Sequence, residues 1–271
     1  MKRIYTWAAS PAERNWTIED LLAGKGKRKW VQTTANAAEE AAAAEAAGID
    51  LIIGNAWNIE AVRRGSGRLF LTAAIDLVRY PLPDDILRAA MKAMELGADA
   101  VLTARSMKIV EMLAGEDIPV MGHLGLVPRK SSWRGGLRAV GKTADEAFRL
   151  YEDFRRLESA GAVMVEAEVI PGPVMSEISR RCGLITVSLG SGPGGDVDYL
   201  FCNDICGEQD DRPRHARAFG NLLELNRQVQ DARVAALADF RRACVDGRFP
   251  SDAETVDVDP DELDRFVSRL D

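Results

Sequence analysis

The chain has 271 residues, of which 46% are hydrophobic and 28% are charged, a composition typical of a soluble globular protein. Its net charge is −7, and its basic residues are scattered apart from the short run Lys25–Lys29. This distribution excludes a broad basic face for nucleic acid or for an acidic membrane surface. The chain has no apolar run of about 18 residues, so we expect neither a membrane-spanning helix nor a secretory signal.

The four cysteines, Cys182, Cys202, Cys206 and Cys244, are irregularly spaced. Cys202 and Cys206 are four residues apart, but no second close pair completes a zinc site. This pattern is typical of reduced cysteines packed as small apolar groups. We therefore expect a cytoplasmic protein without a disulfide framework.

The elements can be predicted in chain order. Residues 1–29 form a lead-in, where Thr17 and Asp20 give a capping signal for a short helix that ends at Gly24. Eight short apolar segments then predict strands: Trp30–Thr34, Asp50–Ile53, Leu69–Ala73, Asp99–Thr103, Ile118–Met121, Val163–Glu168, Leu184–Ser188 and Tyr199–Cys202. Helix-forming segments separate most of them: Ala37–Ala47, Asn58–Arg64, the segment opened by Pro83, Ser106–Leu113, the segment from Thr143 to Ala160, and part of Gly172–Cys182.

A helical region is predicted from about Arg212 to Val245, and an amphipathic segment, Asp261–Leu270, follows it. Strands without strict polar alternation are typical of a parallel sheet buried on both faces. Eight such β units fit a (β/α)8 barrel, the TIM barrel, and a doubly wound open sheet is the alternative. We predict a lead-in at 1–29, barrel strands and crossover helices at 30–211, and helices at 212–271 that complete the barrel or pack on a neighbour. The connection between the last two strands is too short for a full helix.

In a barrel, the residues at the carboxyl ends of the strands line one mouth, where active sites lie. His123 follows the fifth strand, and it is either a hydrogen-bonded structural side chain or a site residue. Glu166 and Glu168 lie two apart on the sixth strand and so point to the same side. Repulsion between them would favour a proton on one carboxylate, which suits general acid–base catalysis. The alternative is a pair of glutamates neutralised by Arg105 or Arg129.

Further polar and aromatic residues follow the other strands, and we predict that five of them bind substrate: Asn55, Trp57, Arg105, Ser188 and Ser191. The loop Gly190–Gly195 leads into a strand and lacks the lysine of a phosphate-binding loop, which favours a tight connector. A magnesium site needs converging carboxylates. The mouth offers Asp76, Glu166, Glu168 and Asp204 as candidates.

Several motifs occur together in the second half of the predicted barrel. They are Met121-Gly122-His123-Leu124-Gly125-Leu126 with Pro128, Glu168 with Pro171, Gly190-Ser191-Gly192-Pro193, and Asn203-Asp204 with Gly207. In this combination the chain resembles the ketopantoate hydroxymethyltransferase family, within the phosphoenolpyruvate mutase/isocitrate lyase superfamily, over about residues 16–250. The resemblance implies a (β/α)8 barrel that assembles as a homo-oligomer.

The resemblance also implies a reaction. A 2-oxo acid would bind magnesium through its carboxylate and keto oxygens, and its enolate would accept a one-carbon unit from methylenetetrahydrofolate. Glu168 would act as acid and base, and His123 would contact the substrate at the mouth.

Three positions depart from the family pattern at its metal site. Asn55 stands where the family has aspartate, and Ala74 and Ala104 stand where it has acidic residues. Asp76, two residues beyond Ala74, is the remaining candidate metal ligand outside the two glutamates. The lost negative charge predicts weak binding of a hard divalent cation, so the cofactor is left open, with magnesium as one candidate.

New side chains accompany these losses, namely Trp57, Arg79, Arg105 and Trp133, and they predict a different substrate pocket. One hypothesis is a diverged enzyme that makes, breaks or hydrolyses a C–C bond next to a carbonyl, with Glu168 as base and arginines as oxyanion donors. The second is a true 3-methyl-2-oxobutanoate hydroxymethyltransferase, and the third is a non-catalytic barrel that binds a small acid. In each, the expected partner is a small carbonyl acid, with no nucleic acid and no membrane.

Overall fold

The computed structural model describes Met1–Leu270 and divides into two compact units. The first is Met1–Cys206 with Asp211–Phe219, and the second is Gly207–Asp210 with the chain from Gly220 onward. Among the described residues, no helix is both long and apolar enough to cross a membrane.

The N-terminal lead-in begins with an antiparallel hairpin of β1 (Lys2–Tyr5) and β2 (Pro11–Arg14). The hairpin was not predicted, because its short strands carry no apolar alternation. Helix α1 (Ile18–Gly24) follows, and Thr17 and Asp20 form a reciprocal capping box at its start. This arrangement satisfies two backbone N–H groups that the helix itself leaves unpaired, and it confirms the predicted helix.

Eight parallel strands form a closed barrel: β3 (Trp30–Thr34), β4 (Leu51–Asn55), β5 (Phe70–Ala74), β6 (Ala100–Leu102), β7 (Val120–Gly125), β8 (Met164–Glu168), β9 (Ile185–Leu189) and β10 (Val197–Leu200). The helices between them are α2 (Ala38–Ala46), α3 (Ile59–Gly65), α4 (Pro83–Glu95), α5 (Met107–Gly115), α6 (Ala144–Ser159) and α7 (Gly172–Ser179). The order β10-β3-β4-β5-β6-β7-β8-β9 confirms the predicted (β/α)8 barrel and excludes the open sheet. As predicted, β9 and β10 are joined by a loop with no helix.

The side chains that point into the barrel stack in layers of four, contributed by alternate strands. The amino-terminal layers are apolar, and Trp30, Phe70 and Ile185 are almost fully buried there. Following the strand pairing toward the carboxyl ends gives four further layers. In order, they are Gln32, Thr72, Met121 and Val187; Ile53, Leu102, Glu166 and Tyr199; Thr34, Ala74, His123 and Leu189; and Asn55, Ala104, Glu168 and Phe201.

An ion-pair network joins the hairpin to the amino-terminal side of the barrel. Arg14 of β2 and Arg63 of α3 both bind the carboxylate of Asp99, at 2.8 Å and 2.6 Å. Burial lowers the pKa of Arg63 to about 10 despite the adjacent Asp99. The carboxylate of Asp99 thus neutralises the charge of two buried guanidinium groups.

The first unit also contains α8 (Cys202–Cys206), which follows β10. In the second unit, α9 (Leu222–Val245) is a long helix and α10 (Pro260–Val267) is a short one. The helix predicted from about Arg212 is wrong in its first ten residues, because the chain around Pro213 is irregular and α9 begins only at Leu222. Proline cannot donate a backbone hydrogen bond inside a helix, and it disfavours helical geometry in the residue before it.

Candidate active site

His123 and two glutamates form a buried cluster inside the carboxyl end of the barrel. His123 on β7 pairs in register with Glu166 on β8, and Glu168 lies one inward position further along β8. The Nε2 atom of His123 is 2.8 Å from Oε2 of Glu168 and 3.5 Å from Oε1 of Glu166. The three side chains are 9–12% exposed. His123 and Glu168 lie at the carboxyl ends of their strands as predicted, and because β7 and β8 are neighbours the fold brings the two side chains into direct contact.

The electrostatics of this cluster favour a charged histidine beside a carboxylate. Burial opposes a charge on His123, but the hydrogen bond to Glu168 and the charges of both glutamates outweigh it and raise the pKa of His123. Burial, aided by the charge of Glu168, raises the pKa of Glu166. Burial, with both glutamate charges, also raises the pKa of Tyr199 well above its usual value. The site can thus hold an imidazolium–carboxylate pair beside a carboxyl group that tends to keep its proton.

A glycine fixes the position of Glu168. Gly125 ends β7 with φ of +89°, and a Cβ at this residue would lie 2.2 Å from the backbone oxygen of Glu168. The next residue, Leu126, donates its N–H to that same oxygen at 2.8 Å. Only glycine allows both this backbone angle and this approach, so the chain after β7 is held against the end of β8.

The arginines expected near the glutamates lie elsewhere. Arg105 donates to the backbone oxygen of Tyr80 at 2.8 Å and also to that of Leu77, while Arg129 donates to the backbone oxygen of Ala104. Within the described residues, no ion pair joins Arg105 or Arg129 to a carboxylate. The interpretation that these arginines neutralise the glutamates is therefore wrong, and the basic partner of both glutamates is His123.

Arg105 nevertheless keeps an unused donor, because its buried Nε has no hydrogen-bond partner in the structure. Burial, together with the nearby charge of Arg105, lowers the pKa of Arg129. Trp57 is 40% exposed, and the guanidinium of Arg79 lies 4.7 Å from the centre of its ring, a cation–π contact. Asn55 points into the mouth in the same layer as Glu168.

The two predicted substrate-binding serines have other hydrogen bonds. Ser188 alternates with the inward residues of β9, and its hydroxyl donates to the backbone oxygen of Gly192 at 2.7 Å. Ser191 is fully buried; its hydroxyl donates to the oxygen of Ala167 at 2.8 Å and accepts from the N–H of Ile170 at 2.9 Å. These bonds account for both serines as residues that shape the loops, and their contact with substrate stays a prediction.

The magnesium that the resemblance implies does not fit these residues. Asn55 and Ala104 share the mouth layer with Glu168, and Ala74 lies one layer below. These three positions, where the family has acidic residues, therefore face the mouth but carry no carboxylate in this chain. Asp76 accepts hydrogen bonds from the N–H groups of Val78 and Arg79 and fixes its own turn. The structure thus supplies no set of oxygen ligands for a hard cation at these positions.

Of the four candidate carboxylates, only Glu166 and Glu168 come together. Their oxygens and a ring nitrogen of His123 lie within 4.8 Å of one another, and no other group of three among the described residues does so. The hydrogen bond from His123 to Glu168 accounts for this closeness, and a set with one nitrogen does not match the oxygen ligands that magnesium prefers.

Sequence reasoning missed the polar side chains deeper in the barrel. Gln32 and Thr72 share the layer directly below that of Glu166 and Tyr199. The alternation along β3 and β5 could have found them, because both residues lie two positions from inward-facing Trp30 and Phe70.

The chain is similar to known proteins over most of its length. The family model described as ketopantoate hydroxymethyltransferase matches residues 54–252. The chain is 31% identical to the 3-methyl-2-oxobutanoate hydroxymethyltransferase of Thermus thermophilus, over 87% of this chain and 97% of that protein. It is 29% identical to the enzyme of the same name from Pyrobaculum calidifontis, over 88% and 97%.

Among solved structures, the complex of phosphonopyruvate hydrolase with oxalate and Mg²⁺ is similar at a TM-score of 0.50 and 13% identity, covering 94% of this chain and 97% of that one. This likeness concerns the fold alone. The match of the family model and the 31% identity to the Thermus relative establish the family as well as the fold. Both agree with the motifs around His123 and Glu168. The chain belongs to the ketopantoate hydroxymethyltransferase family.

Proposed function

We propose that this chain is an enzyme that makes, breaks or hydrolyses a C–C bond next to the carbonyl of a 2-oxo acid or a related carbonyl compound. Glu168 would be its acid and base, and His123 its charged partner. The observation that carries the proposal is the 2.8 Å contact between His123 and Glu168 at the mouth of the barrel. Family membership supports C–C bond chemistry of this class.

The proposed first step is proton abstraction. A carboxylate oxygen of Glu168 takes a proton from the carbon next to the carbonyl, and the electron pair of that C–H bond forms an enolate. The positive charge of His123 lies beside the developing negative charge and stabilises it. In synthesis the enolate carbon then attacks an electrophilic carbon, and in cleavage the same steps run in reverse, with Glu168 returning the proton.

Arginine donors would stabilise the enolate oxygen where the family's metal ligands are replaced. The buried Nε–H of Arg105 has no protein partner and is a donor available to an oxyanion. Arg79, held over Trp57, is the second candidate, and Asn55 would contribute its amide from the mouth layer. At the family's metal site, acidic ligands and a cation balance each other's charge. Here the carboxylate of a substrate bound between these groups would balance the positive charge of the arginines.

A true 3-methyl-2-oxobutanoate hydroxymethyltransferase is the second candidate. The 31% identity to the Thermus enzyme over nearly its whole length favours it, together with the retained His123 and Glu168. Ketopantoate formation, measured with and without magnesium, separates the candidates. Turnover with added magnesium would favour the second, and no turnover with excess metal would remove it.

The test of the first candidate is a panel of 2-oxo acids assayed for C–C bond formation or cleavage with wild type, Glu168→Gln and Glu60→Gln. Glu60 is an exposed glutamate paired with Arg64 on α3, so its replacement is a matched control. We expect the change at Glu168 to lower kcat by at least about 100-fold, the range of a lost general base, while the control stays active. Unchanged activity in Glu168→Gln would contradict the proposal. Tight binding of an acid without any turnover would favour a non-catalytic binding barrel.

We further propose that the protein is a homo-oligomer with a small-molecule partner and without nucleic acid or membrane partners. The proposal rests on the resemblance to the family and on the scattered basic residues. Light scattering of the purified chain tests the assembly, and a monomer at micromolar concentration would contradict it.

A further inference from the structure

In the barrel layer directly below that of Glu166, three polar atoms have no partner in the structure. They are both amide atoms of Gln32 and the hydroxyl of Thr72. Both residues are 0% exposed. An amide or hydroxyl taken out of water without a hydrogen bond is strongly unfavourable, so a layer with three such atoms needs a partner that the protein does not supply.

The position of this layer connects it to the candidate active site. Gln32 pairs in register with Tyr199 on β10, and both side chains point inward. Tyr199 in turn feels the charges of Glu166 and Glu168. Gln32 and Thr72 therefore lie beneath Glu166, on the side away from the mouth, and no direct hydrogen bond links them to it.

Water matches the hydrogen-bonding groups of this layer. A buried water needs two to four polar partners, and Gln32 and Thr72 offer a donor, an acceptor and a hydroxyl. We propose that Gln32 and Thr72 hold one or more ordered waters inside the barrel, and that this water hydrogen-bonds Glu166 from below. The two residues would then be positioning residues for the cluster of Glu166, His123 and Glu168.

The water would change the charge balance of the cluster. A hydrogen bond to the carboxylate of Glu166 favours its charged form, and that charge in turn favours the charged form of His123. The titratable groups that act on His123 are Glu168 and Glu166 from β8, and Tyr199 from β10 interacts with both glutamates. Without the water, Glu166 keeps its proton more readily, and its negative charge then stabilises the charged form of His123 less. The effect on turnover rests on the proposed function, whereas the water site does not.

The test is the titration of His123 by NMR in Gln32→Leu and Thr72→Val, which remove the polar atoms and keep similar volumes. The chain has only two histidines, so a His215→Gln variant assigns the signals. We expect the pKa of His123 to fall by about one unit in Gln32→Leu and by less in Thr72→Val.

Thr33→Val is the matched control. Thr33 is the residue after Gln32, its hydroxyl is also buried and without a partner, but it faces away from the barrel interior. If Gln32 and Thr72 had a purely structural role, the three variants would lose similar thermal stability and the pKa of His123 would not change. That result in Thr72→Val would overturn the proposal even if Gln32→Leu fails to fold. A high-resolution crystal structure of the wild type with no water between Gln32, Thr72 and Glu166 would also overturn it, and water bound there supports it.

Discussion

Replacing Glu168 by glutamine removes one negative charge from the cluster and keeps the shape of the side chain. In the wild type, Oε2 of Glu168 lies 2.8 Å from Nε2 of His123, and Glu166 lies at 3.5 Å. An opposite charge at such a distance shifts a pKa by about 1–3 units. Because Glu166 remains, we expect the pKa of His123 to fall by about 1–2 units in Glu168→Gln, which corresponds to about 1.4–2.7 kcal/mol.

The sign of the stability effect follows from the raised pKa of His123 in the folded state. Such a group stabilises the fold fully below its unfolded pKa of about 6.5, and this stabilisation is lost as the pH rises through the folded pKa. Glu168→Gln should therefore lose more unfolding free energy at pH 6 than at pH 9. NMR titration of His123 and urea denaturation at both pH values measure the two effects. The reasoning is refuted if the pKa of His123 stays the same or rises, or if the loss of stability is the larger at pH 9.

Three further substitutions test the fold around the site, each by urea denaturation. Ser191→Ala leaves a backbone N–H and a backbone oxygen without their hydroxyl partner and should cost about 1–3 kcal/mol; an unchanged midpoint would contradict its role in shaping the loop. Gly125→Ala should cost more than about 3 kcal/mol because of its positive φ and the backbone contact, whereas Gly115→Ala in open space should change stability by less than about 1 kcal/mol. Asp99→Asn leaves two buried guanidinium groups without a carboxylate and should cost about 3–5 kcal/mol, and a loss below about 1 kcal/mol would show that the network contributes little.

The barrel could be predicted from the sequence because its strands are short apolar runs ended by glycine or polar residues. The predicted strand Trp30–Thr34 has the observed bounds, and the other seven overlap the observed strands. The N-terminal hairpin escaped prediction because Lys2–Tyr5 and Pro11–Arg14 show no pattern of burial. The late start of α9 escaped prediction because the poor helix formers that precede it, Pro213, Gly220 and Asn221, were not taken into account.

The placement of a site residue could be predicted where its position on a strand determines it. It could not be predicted where the conformation of a loop determines it. His123 and Glu168 come together because adjacent parallel strands end at the same mouth. Ser188 faces away from the barrel by simple alternation with inward Val187 and Leu189, which the spacing already implied. By contrast, the turn that engages Asp76 depends on loop geometry that spacing does not encode.

The central claim is that Glu168 removes a proton next to the carbonyl of a 2-oxo acid without the family's metal site. Its most direct test is exchange of that hydrogen for deuterium in heavy water, followed by NMR on 3-methyl-2-oxobutanoate and related 2-oxo acids with a chelator present. We predict exchange of at least one of these acids by wild type and Glu60→Gln, and at least about 100-fold slower exchange by Glu168→Gln. Exchange that requires added magnesium, or that persists in Glu168→Gln, would contradict the account.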